Sequence, residues 1–259
     1  MGSDLGAPRG RGISEPTKDA LRREVGYVCP VEGCGSPYLT WHHFDPPWTK
    51  GHIDRVEGMI ALCAEHHNAA NANAYSIDQL KLLKKSLNTA VVHGDVLLRR
   101  SNTVFVASDN ISHRCLGLLK FKGVPLVYFK KLESEPEYQL FISTIDKMGR
   151  LEQIIMGNFW EVDPENYVVI ATPITRDICI TKLDSSVKIS LKFRDAKDAK
   201  EENIRNYVSR NKLPLNDTRI CYFEYVLDGI VRVDKIGILA GGFQIRSGVS
   251  IDSGYLLEI

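Results

Sequence analysis

The sequence predicts an α+β protein: a small mixed unit at the N-terminal end, followed by a mostly-β domain. Two observations predict it. Cysteine and histidine concentrate between residues 29 and 67, where Cys29, Cys34, Cys63 and the pairs His42-His43 and His66-His67 lie. After about residue 100 the texture changes to short runs of β-branched and aromatic residues separated by turn signals.

Residues 1–13 are rich in Gly, Pro and Arg without an apolar run, and read as a flexible leader rather than a signal peptide. Residues 14–25 read as a helix: Ser14 precedes Pro16, Leu21 and Val25 share a face, and Gly26 ends it. The stretch from Tyr27 to Gly35 is a Cys-bounded turn. Residues 38–44 predict a strand, 45–58 a loop with Pro46, Pro47, Gly51 and Gly58, and 59–62 a short apolar strand. A helix then opens near Cys63 and carries His66, His67 and Asn71. Ser76-Ile77-Asp78-Gln79 fits a capping box, with Leu80, Leu82, Leu83 and Leu87 behind it and an end near Asn88. His93-Gly94 is a natural boundary.

In the second half, strands are expected at 103–107, 138–145, 151–160, 167–170, 187–193, 219–225 and 230–233, with turns at 146–149 and 227–229 and one helix over 196–210. Phe159-Trp160 reads as a buried aromatic turn. The tail from Ile236 is consistent with a solenoid or a barrel rim. These boundaries give a domain over 14–95 and another over 101–259.

Composition excludes several classes. The formal charge is +1, with 12 basic and 11 acidic residues in positions 1–100 and 21 of each afterwards. Nucleic-acid binding would therefore depend on a local patch rather than a global field. No run of about 18 apolar residues predicts a transmembrane helix. Six cysteines are too few for a disulfide scaffold in 259 residues. A reducing, cytoplasmic setting is expected, with Cys115, Cys179 and Cys221 as core residues.

Cys29-x4-Cys34 and Cys63-x2-His66 place four donors in two close pairs, the pattern of a structural zinc site held by a knuckle turn and a helix start. Four protein ligands leave no open position, so this Zn²⁺ would stabilise the fold and do no chemistry. On the helix that follows, His67 and Asn71 are one turn apart on one face, while His66 points about 100° away. On the strand, His42 and His43 point to opposite sides.

This order of knuckle, His pair, apolar strand and Cys-x2-His-His-x3-Asn resembles the HNH endonuclease family, over about residues 20–90. Sequences of the form Trp-His-His-Φ-x-Pro-Pro-Trp followed by Ile-Ala-Leu-Cys-x-x-His-His are closest. The resemblance implies a ββα-metal fold with a treble-clef zinc, followed here by a mostly-β accessory domain. It assigns His42, His67 and Asn71 to a catalytic divalent ion, Mg²⁺ or Mn²⁺, and His43 to the general base. An imidazole's ordinary pKa of about 6.5 suits that role. One position departs from the pattern: the family's middle Asn, which ties the loop and helps orient the base, is matched by Gly58. His52, Asp54 and the backbone are left to orient His43.

The expected reaction is metal-dependent hydrolysis of DNA phosphodiesters, double-stranded DNA first, in a role such as bacterial antiviral defence or restriction. Arg22, Arg23, Lys50, His52 and Arg55 could contact DNA; for His52 a solvated loop position is the alternative. Two other readings stay open: a zinc-stabilised DNA-binding or interaction protein with a weak or inactive site, and a subunit activated by a homodimer or regulatory protein partner. No catalytic constellation is legible in residues 101–259, which could position DNA or sense a ligand or partner.

Overall fold

The computed structural model describes residues 12–50, 54–86, 90–96, 102–113, 117–131, 138–146, 148–173, 175, 177–228, 230–234, 237–240, 243–245 and 255–258. The leader lies outside these residues but for its last two positions, as do His52, Leu87, Asn88 and Cys115, and the side chain of Lys50 is not described. The chain divides into two compact units, Met1–Cys34 with Leu39–Asn88, and Gly35–Tyr38 with Thr89–Ile259. No helix among the described residues is long and apolar enough to cross a membrane.

The first unit begins with α1 (Glu15–Glu24), capped by the Ser14 hydroxyl, which accepts from the Thr17 N–H. Leu21 and Val25 are buried on its inner face. After the Cys29–Cys34 turn, strand β1 (Leu39–His43) pairs antiparallel with β2 (Met59–Cys63), setting Leu39 opposite Cys63 and His43 opposite Met59. All five β2 residues are buried, which explains its unbroken Met-Ile-Ala-Leu-Cys run. Helix α2 (Ala64–Asn71) starts directly at Cys63, and α3 (Ile77–Leu83) opens with a complete Ser76–Gln79 capping box.

Leu21, Val25, Leu39, Phe44, Met59 to Leu62, Ala70 and Leu80 form one core with Cys29 and Cys63. Lys84 latches its edge: its ammonium group donates to the Val56 carbonyl and pairs with Glu24 at 3.0 Å. α3 ends at Leu83, earlier than the leucine pattern predicts, since Leu82 already faces solvent and adds nothing to the core.

In the second unit, one seven-stranded sheet runs in the order Tyr255–Glu258, Gly117–Phe121, Val124–Lys131, Tyr138–Ile145, Leu151–Met156, Phe159–Val162, Val92–Asp95. The path of a second sheet runs Tyr167–Ala171, Ile178–Lys182, Val187–Asp195, Thr218–Leu227, Val231–Asp234, Gly237–Ala240, Phe243–Ile245, with Asn102–Ala107 pairing in parallel beside Thr218–Tyr222. The sheets meet through the rings of Phe105 and Phe129, with centroids 4.5 Å apart, and through the Tyr225 hydroxyl, which donates to the Ser143 carbonyl at 2.9 Å. A further helix, Glu202–Arg210, buries Ile204 and Val208 against Val104, Val106 and Ile220.

Several sequence expectations change here. Residues 151–160 are two strands, since Gly157 (φ 62°) and Asn158 (φ 72°) turn the chain through the left-handed region. Trp160 is 1% exposed, but Phe159 is 48% exposed because neighbouring strand residues face opposite ways. The helix expected over 196–210 occupies Glu202–Arg210, preceded by a short 3-10 turn at Ala196–Asp198 and extended chain. Among the described residues of the tail, Gly237–Ala240 and Phe243–Ile245 extend one sheet and Tyr255–Glu258 joins the other, with no repeating stack of their own. Residues 92–95 pair with Phe159–Val162 and so belong to the second unit, not to a domain ending at 95.

Candidate functional site

The cysteine turn is built by Gly33, whose φ of 77° few other residues adopt, and by the Cys34 N–H, which donates to the Val31 carbonyl at 3.0 Å. It brings Cys29 and Cys34 against Cys63 and His66 at the start of α2. The four donor atoms lie within 4.8 Å of one another. His66 Nδ1 is 3.4 Å from the Cys29 sulfur and 3.2 Å from the Cys63 sulfur, and the sulfurs of Cys34 and Cys63 are 3.9 Å apart. Tetrahedral zinc needs donors about 3.5–3.8 Å from each other, so this cluster could hold a zinc ion.

A hydrogen bond with Cys29 is the first cause that lowers the Cys63 thiol's pKa, and contacts from His66 add to it. The Cys29 thiol is raised by the same bond and by burial. The two sulfurs thus compete for protons that a bound cation would displace.

The second His set lies one residue away on each element. The pleat of β1 sends His42 toward α2, where its ring centroid is 5.4 Å from that of His67, edge to face. Asn71, one helical turn beyond His67, places its amide 3.3 Å from His67 Nδ1. Burial holds His42 below its ordinary pKa; the charge of His67 acts in the same direction, and a hydrogen bond with Asn71 opposes both. Among the described residues this set includes no Cys or acidic ligand.

His43 faces the other way. Its Nε2 is 3.0 Å from the Asp54 carboxylate, and its ring packs on Trp48 at 4.8 Å between centroids. The side chain is 8% exposed, while Trp48 is 47% exposed. Trp48 therefore covers the histidine rather than filling the core of the unit. On the same face of β1, Trp41 carries the Arg22 guanidinium 5.0 Å above its ring. Arg55 is exposed beside Asp54, and Arg23 is paired with Asp19 at 2.9 Å.

Gly58 explains the departure noted in the sequence. Its carbonyl accepts from the N–H of Phe44 at 2.9 Å and of Asp45 at 3.1 Å. The loop is tied by main chain, where the resemblance expects an Asn side chain.

The second unit holds a cleft of about 340 Å³ lined by Lys192, Arg194, Asp198, Lys200, Glu201 and Tyr222, among others. Two of its polar groups are engaged: Arg194 is bonded to Asp177 at 3.0 Å, and the Tyr222 hydroxyl is pushed up to about 12 by burial and a bond to Glu201. The described residues give it no nucleophile with an adjacent base. Cys221 is buried, and the thiol of Cys179 lies 3.7 Å from the Thr181 hydroxyl. His113 Nδ1 meets the Tyr207 hydroxyl at 2.9 Å.

Comparison of the chain with protein-family models, with curated proteins and with solved structures finds no match.

Proposed function

We propose that the first unit is an HNH-type, ββα-metal nuclease domain that hydrolyses DNA phosphodiester bonds, with the β-rich unit as its accessory. One observation carries the reading: adjacent histidines on β1 serve two different centres, His42 toward His67 and His43 toward Asp54. A buried core histidine pair would not need partners of such different chemistry.

In this reading Cys29, Cys34, Cys63 and His66 hold a structural zinc. His42, His67 and Asn71 hold the catalytic ion. Burial keeps His42 neutral, the form that ligates. A bound Mg²⁺ or Mn²⁺ would supply charge neutralisation at the scissile phosphate and the leaving oxygen. His43 accepts the proton of the attacking water. Arg22 and Arg55 offer cations for flanking phosphates of double-stranded DNA.

A nuclease that is switched on by substrate or partner is favoured by one specific feature, the near-complete burial of His43 under Trp48. The Trp48 side chain must move aside to admit water and phosphate. The reading is tested by assaying plasmid DNA with Mg²⁺, Mn²⁺ or chelator: cleavage should need the added ion and vanish in His67→Ala. Cleavage that survives chelation, or that His67→Ala leaves intact, contradicts it.

A further inference from the structure

We infer that Asp54 is the positioning residue for His43, fixing its imidazole in the tautomer that carries hydrogen on Nε2 and leaves Nδ1 as the proton acceptor. The inference rests on the reading of His43 as the base, and it names the group that does the orienting work at a position pattern where Gly58 has no side chain. A carboxylate only accepts hydrogen bonds. With Asp54 Oδ1 at 3.0 Å, Nε2 must be the donor. The lone pair of a neutral ring is then on Nδ1, which has no hydrogen-bond partner among the described residues.

The placement of Asp54 is built by main chain. Asp54 lies two residues before the 3-10 turn Val56–Gly58, next to its N-cap Arg55, whose carbonyl accepts from the Gly58 N–H at 3.1 Å. The same Gly58 carbonyl is held by Phe44 and Asp45, the two residues after His43. The backbone bonds that close the loop therefore also set the distance between Asp54 and His43. Trp48 limits the remaining freedom by packing on the ring. His43 is thereby held at one nitrogen and against its ring, which is how a base keeps one orientation before substrate arrives. An exposed ion pair of no functional consequence would leave the ring's tautomer open and catalysis unchanged.

The test uses the full chain with Asp54→Ala and Asp54→Asn, each checked for zinc content and melting temperature against wild type. Two readouts are taken: single-turnover plasmid cleavage with Mn²⁺, and ¹H–¹⁵N spectra of ¹⁵N-histidine-labelled protein at about pH 8, where free imidazole is neutral. Wild-type His43 should show the Nε2–H pattern. Asp54→Ala should lose that preference and cut roughly 10- to 100-fold more slowly, with KM changed by less than about twofold. Asp54→Asn, whose amide can donate to Nε2 as readily as it accepts from Nε2–H, no longer forces the tautomer and should lose both the Nε2–H preference and the rate at nearly unchanged shape. A wild-type Nδ1–H pattern, or Asp54→Ala cutting at the wild-type rate, overturns the inference. If the wild type cuts no DNA, the nuclease reading fails separately, and the spectra decide alone: loss of the Nε2–H preference in Asp54→Ala upholds the positioning, and an unchanged spectrum contradicts it.

Discussion

A Cβ placed on Gly58 would stand 1.8 Å from the carbonyl oxygen of Asp45. No side chain fits there without moving main chain on one side or the other. The contact arises because Gly58 is drawn against residues 44–45 by its own carbonyl, which takes both of their N–H groups. In the proposed nuclease reading this is the position matched to the family's asparagine; in this structure it is closed to a side chain, and main-chain bonds tie the loop.

Restoring the motif should therefore harm the protein. Gly58→Asn is expected to cost about 1–3 kcal/mol through steric displacement, lowering the melting temperature of the first unit by several degrees and increasing protease cleavage in the 45–58 loop. Circular-dichroism melts compare the two proteins. A variant as stable as wild type would mean that the loop tie is not as tight as described.

Metal content offers a second check. Purified protein should hold about one zinc per chain, and Cys63→Ser should hold none. The first unit's core is small for an independent fold, so chelation should unfold it. Trp41 and Trp48 lie in that unit, whereas Trp160 is buried in the second. Tryptophan emission should shift partly to the red on chelation and keep a blue component from Trp160. No shift, or no zinc, would remove the structural site.

The lowered pKa of His42 has a sign that can be measured. Its folded value lies below the ordinary value of about 6.5. Between the two, the unfolded chain binds the proton and the folded chain does not, so stability rises with pH in that window. The contribution is complete above about pH 6.5 and is lost as pH falls toward the folded pKa. The zinc ligands also protonate in acid, so the readout is the difference between wild type and His42→Gln, which shares those ligands. Denaturant unfolding should show wild type losing more stability than His42→Gln from pH 7 to 5. Parallel curves would contradict the assignment.

His67 and Asn71 should not be equal. An imidazole is the stronger ligand, and the Asn71 amide is already bonded to His67. His67→Ala is expected to lower metal-dependent cleavage by more than about 100-fold, and Asn71→Ala by roughly 10-fold with a higher Mn²⁺ requirement. Titration of the rate with Mn²⁺ separates them, and equal losses would place Asn71 among the essential ligands.

What the sequence reveals depends on whether the signal is local. The Ser14 cap, the Ser76–Gln79 box, the apolar β2 run and the Cys/His spacing are set by neighbours within a few residues, and the structure places them as their chemistry requires. The opposite facing of His42 and His43 follows from the strand pleat alone. The strands at Gly117–Phe121, Val124–Lys131 and Ile178–Lys182 are not legible as clean alternations, although Lys122 and Gly123, both with positive φ, mark the hairpin between the first two. The Asp54–His43 bond, the Trp48 cover and the Lys84 latch depend on how a fourteen-residue loop folds back, which no periodicity encodes. Gly58 shows the same limit from the other side: a glycine in a sequence gives no hint that its carbonyl will take the N–H groups of Phe44 and Asp45.

The most direct measurement of the central claim is plasmid nicking with Mg²⁺ or Mn²⁺ by wild type and by His43→Ala, at matched zinc content and folding. The account predicts metal-dependent nicking by wild type and a loss of about 10²- to 10⁴-fold in the variant, the range for removing a general base. Equal nicking by both proteins, or none by wild type with either metal, would contradict it.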